Sequence, residues 1–162
     1  NVQDLSGLDG LITINGTLEI NTTEDFQSGA SVLNDLVTVS GDLKVIGQEA
    51  VGLLSGFTSL QAVGNDLSIE DGGDELRVLD GFPLLASIGA NLRLKNNDFL
   101  EDIAATALPL LDTSGDIGGH LHVEDNGSQA TGGRLPCNDP EVLRLEAAGT
   151  ADMANINTGC SP

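Results

Sequence analysis

The sequence predicts a mainly β fold: a parallel β-solenoid of about six leucine-rich rungs, each of about 25 residues, closed at one end by a helix and a disulfide. Three observations carry this expectation. A five-residue pattern, Gly-x-Leu-x-Ile, returns along the whole chain, and a second pattern upstream of it places an apolar residue at every third position. The apolar 40% is carried by Leu, Ile, Val and Ala, with no Trp or Tyr, Phe 4 and Met 1, a palette suited to a narrow, repetitive interior.

The five-residue pattern runs Gly16 to Ile20, Gly41 to Val45, Asn65 to Ile69, Ala90 to Leu94 and Gly119 to Val123, with a weaker copy from Gly149 to Met153. Its first apolar positions, Leu18, Leu43, Leu67, Leu92, Leu121 and Ala151, are by difference 25, 24, 25, 29 and 30 residues apart. Alternation at a period of two is that of a strand, so each copy is expected to point Leu and Ile inward and the intervening residue outward. The three-residue pattern runs through Leu5, Leu8, Leu11 and Ile14, then Leu33, Leu36 and Val39, then Leu54, Phe57, Leu60 and Val63, then Leu79, Phe82, Leu85 and Ile88. That period fits neither a standard helix nor a strand, and predicts a bent or 3₁₀-like arc returning each rung to its start. No rung buries its apolar face alone, and stacking buries them all. The longer late spacings imply insertions at 104–116 and 128–134, expected to protrude as loops. Residues 1–134 thus form the rungs and 135–162 the cap with the last rung, within one domain spanning 1–162.

The cap is the last element. Asn138 or Asp139 can cap a helix with Pro140 at its first position, and Gly149 can end it. Cys137 and Cys160, the only cysteines, are expected to form one disulfide. At the other end, Asn1 to Leu5 reads as repeat sequence, neither a leader nor a lid. A secreted protein is therefore expected in its mature form, with either a domain removed before the first rung or another subunit covering it.

The alternation of L-x-x-L-x-x-L-x-x-I with G-x-L-x-I, clearest from Leu79 to Leu94, resembles the receptor L-domain-like repeats, an irregular leucine-rich family of extracellular and cell-surface proteins. The closing segment with Leu135, Pro136, Cys137, Asn157, Gly159 and Cys160 resembles the terminal cap of bacterial members. The resemblance covers nearly the whole chain. It implies a right-handed β-helix, an extracellular or cell-surface location, a binding or structural role, and no shared catalytic residues. It weakens at Gln27 to Ser31, where the second arc is degraded.

With 6 basic and 25 acidic residues the net charge is −19, which opposes nucleic acid and anionic lipid. No apolar run is long enough to span a membrane. The outward positions of successive strands form three columns: Thr17, Asp42, Asp66, Asn91, His120; then Glu19, Lys44, Ser68, Arg93, His122; then Asn21, Ile46, Glu70, Lys95, Glu124. Three of the six basic residues and both histidines fall on this sheet, so Lys44, Arg93, Lys95, His120 and His122 are the candidate binding face for an acidic or sugar ligand. A solvated face is the plainer alternative, with Glu19 meeting Lys44 and Glu70 meeting Lys95. The alternation His120-x-His122-x-Glu124 offers a weak candidate for Zn²⁺ or Cu²⁺. Acidic turns at Asp71 to Glu75, Asn96 to Asp98 and Glu124 to Asn126 offer oxygens for Ca²⁺, although tight turns use the same residues. The sequons at Asn15, Asn21 and Asn126 are candidate N-glycosylation sites. No acid–base pair, nucleophile motif or phosphate loop stands out, so no enzymatic activity and no resident cofactor are expected. The leading expectation is a recognition or adhesion module binding a protein or glycan. Its alternative is a surface filament or layer in which copies stack through the first rung.

Overall fold

The computed structural model describes residues 5–21, 33–47, 54–73, 76–124, 126, 135 and 139–149. The chain is mainly β, a solenoid of about four turns with parallel sheets along its sides. The main sheet stacks β2 (Leu18–Asn21), β4 (Leu43–Ile46), β6 (Leu67–Glu70), β9 (Leu92–Lys95) and β11 (Leu121–Glu124). Register runs Leu18, Leu43, Leu67, Leu92, Leu121 in one inward column and Ile20, Val45, Ile69, Leu94, Val123 in the next. From the second rung on, each of these inward side chains is at most 1% exposed. Burying each such aliphatic side chain contributes about 1.5–3 kcal/mol, and the alternation of the repeat is what aims them inward.

The returning arc differs from the expected one. It contains a second parallel sheet made of β1 (Thr13–Ile14), β3 (Thr38–Val39), β5 (Ala62–Val63) and β8 (Ser87–Ile88), besides 3₁₀ turns at Ser6–Leu8 and Leu54–Gly56. Each of these strands is two residues long, too short to show alternation, while Leu11, Leu36, Leu60 and Leu85 pack inward from the preceding turn. A third side carries β7 (Val78–Leu79) against β10 (Asp102–Ile103). Beneath it Phe57 and Phe82 stack with ring centroids 5.2 Å apart.

Corners repeat as strictly as strands. After β4, β6 and β9 the chain turns through Gly47, Asp71 and Asn96, each with positive φ, a conformation that Gly, Asp and Asn tolerate best. Between the second and main sheets the corner is so tight that a Cβ on Gly89 would collide with the Gly64 carbonyl, and one on Gly118 with that of Gly89. The residues around this corner, 12–16, 37–41, 61–65 and 86–90, contain no charged side chain.

Two buried asparagines brace the turn beyond the main sheet. The Asn97 amide donates to the Ile69 carbonyl (3.0 Å) and to Asn126 Oδ1 (2.9 Å), while its own Oδ1 accepts the Gly72 N–H (2.9 Å). Asn126 Nδ2 donates to the carbonyls of Leu94 (2.6 Å) and Glu124 (3.1 Å). Each side chain thus supplies a hydrogen bond that an irregular, buried backbone would otherwise lack.

The helix α1 (Pro140–Ala148) starts where the sequence predicts: Asp139 accepts from the N–H groups of Glu141 (2.8 Å) and Val142 (3.2 Å). Val142, Leu145 and Ala148 join the core. The 104–116 insertion is corrected in part. Its tip is exposed, but Ala107, Leu108 and Leu111 are fully buried. Arg144 of α1 donates to the carbonyls of Ala107, Leu108 and Leu111, stapling the insertion under the helix. The expected disulfide, the weak sixth strand and the 128–134 insertion lie outside the described residues.

Candidate functional site

On the outer side of the main sheet the parallel register sets residues of successive rungs side by side, about 4.8 Å apart. The first outward column is a ladder tied to the backbone. Thr17 Oγ1 accepts the Asp42 N–H (3.3 Å), Asp42 Oδ1 the Asp66 N–H (3.3 Å), Asp66 Oδ1 the Asn91 N–H (2.9 Å), and Asn91 Oδ1 the His120 N–H (3.0 Å). These side chains hold the edge of the sheet in register, a role that their short polar oxygens suit and longer residues would not.

The other two columns, with Asp66 of the first, form a groove of about 250 Å³, lined by Lys44, Asp66, Ser68, Glu70, Arg93, Lys95, His122 and Glu124. Ser68, only 2% exposed, belongs to the middle strand of the sheet. Lys44 and Arg93 are its partners on the strands to either side. The three cations and three carboxylates in this lining balance, on a chain whose net charge is −19.

The ion pairs are not the expected ones. Lys44 lies 3.9 Å from Asp42 on its own rung, and Lys95 lies 3.7 Å from Glu124 on the next rung. Arg93 Nε donates to Asp66 Oδ2 at 2.9 Å. Register does make Glu19 and Glu70 neighbours of Lys44 and Lys95, but long side chains reach past the position directly opposite. All three pairs are partly exposed, so each contributes about 0–1 kcal/mol and is readily exchanged for a ligand group.

Four of the five expected binding residues, Lys44, Arg93, Lys95 and His122, therefore line one groove. His120 stands beside them, its ring edge-on to that of His122 with centroids 5.9 Å apart. Its Nδ1 is enclosed without a hydrogen-bond partner, so the ring contributes packing more than a polar contact. Asp66, Ser68 and Glu70 complete the lining. They stood in the outward columns of the sequence, but nothing local marked them as groove residues.

Burial pushes the Asp66 carboxyl up, yet the hydrogen bonds from Asn91 and the adjacent Arg93 guanidinium outweigh it and hold the group below its ordinary 3.8. Burial, followed by the charge of Arg93 and the proximity of His120, lowers His122 below 6.5 against the opposing pull of Asp66 and Glu124. Each contribution to stability is fully present above the group's ordinary value and is lost as pH falls through the lowered folded value. His122 is therefore expected to lose stability for the fold as pH drops below 6.5, and Asp66 below 3.8. The difference between the thermal stability profiles of the wild type and His122→Gln isolates the first effect. It should widen in favour of the variant as pH falls below 6.5, and an opposite trend would contradict the assignment.

Among the described residues no three of His, Cys, Asp and Glu converge as metal ligands, and Glu124 lies 3.7 Å from Lys95. In the turns considered for Ca²⁺, the side-chain oxygens of Asn97 and Asn126 already accept backbone N–H groups. Asn15 and Asn21 are exposed. Asn126 is only 4% exposed, and its amide nitrogen donates to the carbonyls of Leu94 and Glu124. No described helix is long and apolar enough to cross a membrane. Compared with protein-family models, curated proteins and solved structures, the chain matches none.

Proposed function

We propose that the chain is a non-enzymatic recognition module, acting outside the cell in the manner of the receptor L-domain-like repeats, and that it takes its ligand in the groove of the main sheet. One observation carries the reading. On a strongly acidic chain, three of the six basic residues, with His122 and the buried Ser68, gather in a single groove of about 250 Å³. Loose ion pairs leave the cations exchangeable, and the hydrogen-bonded column of Thr17 to His120 keeps their spacing rigid. Such a face suits an acidic or hydroxyl-rich partner, either a glycan or a protein surface. No Phe, Tyr or Trp lines the groove, so the face selects by charge and hydrogen bonding.

The test is a binding screen against immobilised acidic and neutral glycans and cell-surface ectodomains, using the wild type beside an Arg93→Gln/Lys95→Gln double variant. Ligands of the wild type are expected to bind the double variant at least about tenfold more weakly, as truncating a charged contact does. Equal binding by the two proteins would place recognition elsewhere and overturn the groove.

A further inference from the structure

The groove divides into two rows of different chemistry. In the register of the sheet Lys44, Ser68, Arg93 and His122 stand side by side, a row with no carboxylate in it. About 7 Å further along the strands, Glu70, Lys95 and Glu124 form a second row, in which two carboxylates flank one ammonium. Ser68 is the floor of the first row, with Lys44 and Arg93 rising about 10 Å apart on either side. It is 2% exposed and lines the groove, and among the described residues its hydroxyl makes no hydrogen bond. Buried polar groups are nearly always paired, so this hydroxyl is available to whatever enters. The cations are equally open. Lys44 and Lys95 stand 3.9 Å and 3.7 Å from Asp42 and Glu124, beyond hydrogen-bonding distance. Among the described residues the Arg93 side chain bonds through Nε, to Asp66, which leaves its two terminal nitrogens for a second acceptor.

We propose that this floor binds the carboxylate of a single acidic sugar, a uronic acid unit within an otherwise neutral glycan; the inference rests on the groove being the ligand site. The carboxylate accepts from the Ser68 hydroxyl, the Lys44 ammonium and the Arg93 fork, whose planar N–H groups match it. Ring hydroxyls over the second row donate to Glu70 and Glu124 and accept from Lys95. Three features select this occupant. A run of acidic side chains or a densely charged glycan would meet a chain of net charge −19 and the carboxylates of the second row. An ammonium brought to Glu70 would face Lys95 directly beside it. A groove of about 250 Å³ is smaller than the about 300–1,000 Å³ that encloses a drug-sized ligand, so it suits one compact unit.

The test is an NMR titration of the whole chain with the methyl glycosides of glucuronic and galacturonic acid, with methyl glucoside and methyl galactoside as neutral counterparts, and with a glutamate blocked at both backbone ends to represent an acidic protein side chain. At least one uronate is expected to saturate with a Kd of about 1 mM, and its neutral counterpart and the glutamate to bind about tenfold more weakly or less. Ser68→Ala and Lys44→Gln should each weaken the uronate about tenfold, as loss of a hydrogen bond to a charged group does. The melting temperature of Ser68→Ala should stay within about 2 °C of the wild type, because the hydroxyl removed bonds no protein group among the described residues. Equal binding of the neutral sugar or of the glutamate, no binding of either uronate, or an affinity unchanged by Ser68→Ala overturns the proposal. So does a melting temperature that falls together with the affinity, which would make Ser68 a structural residue. A uronate that is weakened by Arg93→Gln/Lys95→Gln but not by Ser68→Ala would remove this subsite and leave the groove standing, whereas one indifferent to both would remove the two together.

Discussion

Replacing Asn97 by alanine is expected to destabilise the fold by about 3–5 kcal/mol, because it strands several buried polar groups at once, each worth about 1–3 kcal/mol. Asn97 is fully buried and bonds to Gly72 on one side, Ile69 beneath and Asn126 on the next rung. Its loss leaves the Gly72 N–H and the Ile69 carbonyl without their partner in a region that water does not reach. Gly72 also sits against this side chain, where a Cβ would come within 2.9 Å of Asn97 Oδ1, so the turn has formed around the amide. Urea denaturation should show a lower midpoint with an unchanged slope. The neighbouring Asn96→Gly is the control, since glycine keeps the positive φ of Asn96, which is exposed and makes one side-chain bond, to Asp71 at 3.1 Å. A loss below about 1 kcal/mol for Asn97→Ala would mean that the ladder is not what holds this side of the solenoid.

Gly89→Ala is expected to cost about 3 kcal/mol or more, the upper end of what overpacking does. Its added carbon would press into the Gly64 carbonyl, which belongs to backbone and cannot swing away. The same N–H that must shift donates to Val63 at 2.8 Å, so relief of the collision would break the ladder of the second sheet. Gly10→Ala separates this from conformational strain. Gly10 has a φ of 78° but open space around it, so alanine there should cost only about 1–2 kcal/mol. In a domain of this size the Gly89 variant should melt roughly 6–12 °C lower. A melting point as high as that of Gly10→Ala would show that rungs separate more easily than the close stacking implies.

Much of the main sheet was legible because a strand buried on one side writes its register into alternation. The inward column Leu18 to Leu121 and the outward column Glu19 to His122 both pair as the spacing predicts. The helix was legible from Asp139, Pro140 and Gly149, a local signature that needs no tertiary information. The second sheet was not, since two-residue strands at a period of three carry no strand signal. Ion pairing was not either: register restricts Lys44 and Lys95 to a neighbourhood, and side-chain length decides among the carboxylates in it. Asn97 and Asn126 were read as acidic turns, yet they occupy the same place in successive rungs, three residues past Leu94 and Val123. Aligning the turns as carefully as the strands would have separated them from Asn96. Arg144 shows the other limit, because its carbonyl partners lie 33 to 37 residues away and leave no local mark.

The central claim is that ligands enter the main-sheet groove, and the two histidines, the only ones in the chain, are natural reporters of it. The most direct measurement is to follow both imidazole resonances by NMR while titrating a ligand found in the binding screen. The groove predicts saturable shifts that are largest for His122, which lines it, and that are reduced by the Arg93→Gln/Lys95→Gln variant. A ligand that binds the wild type while leaving both imidazoles unmoved would contradict the account.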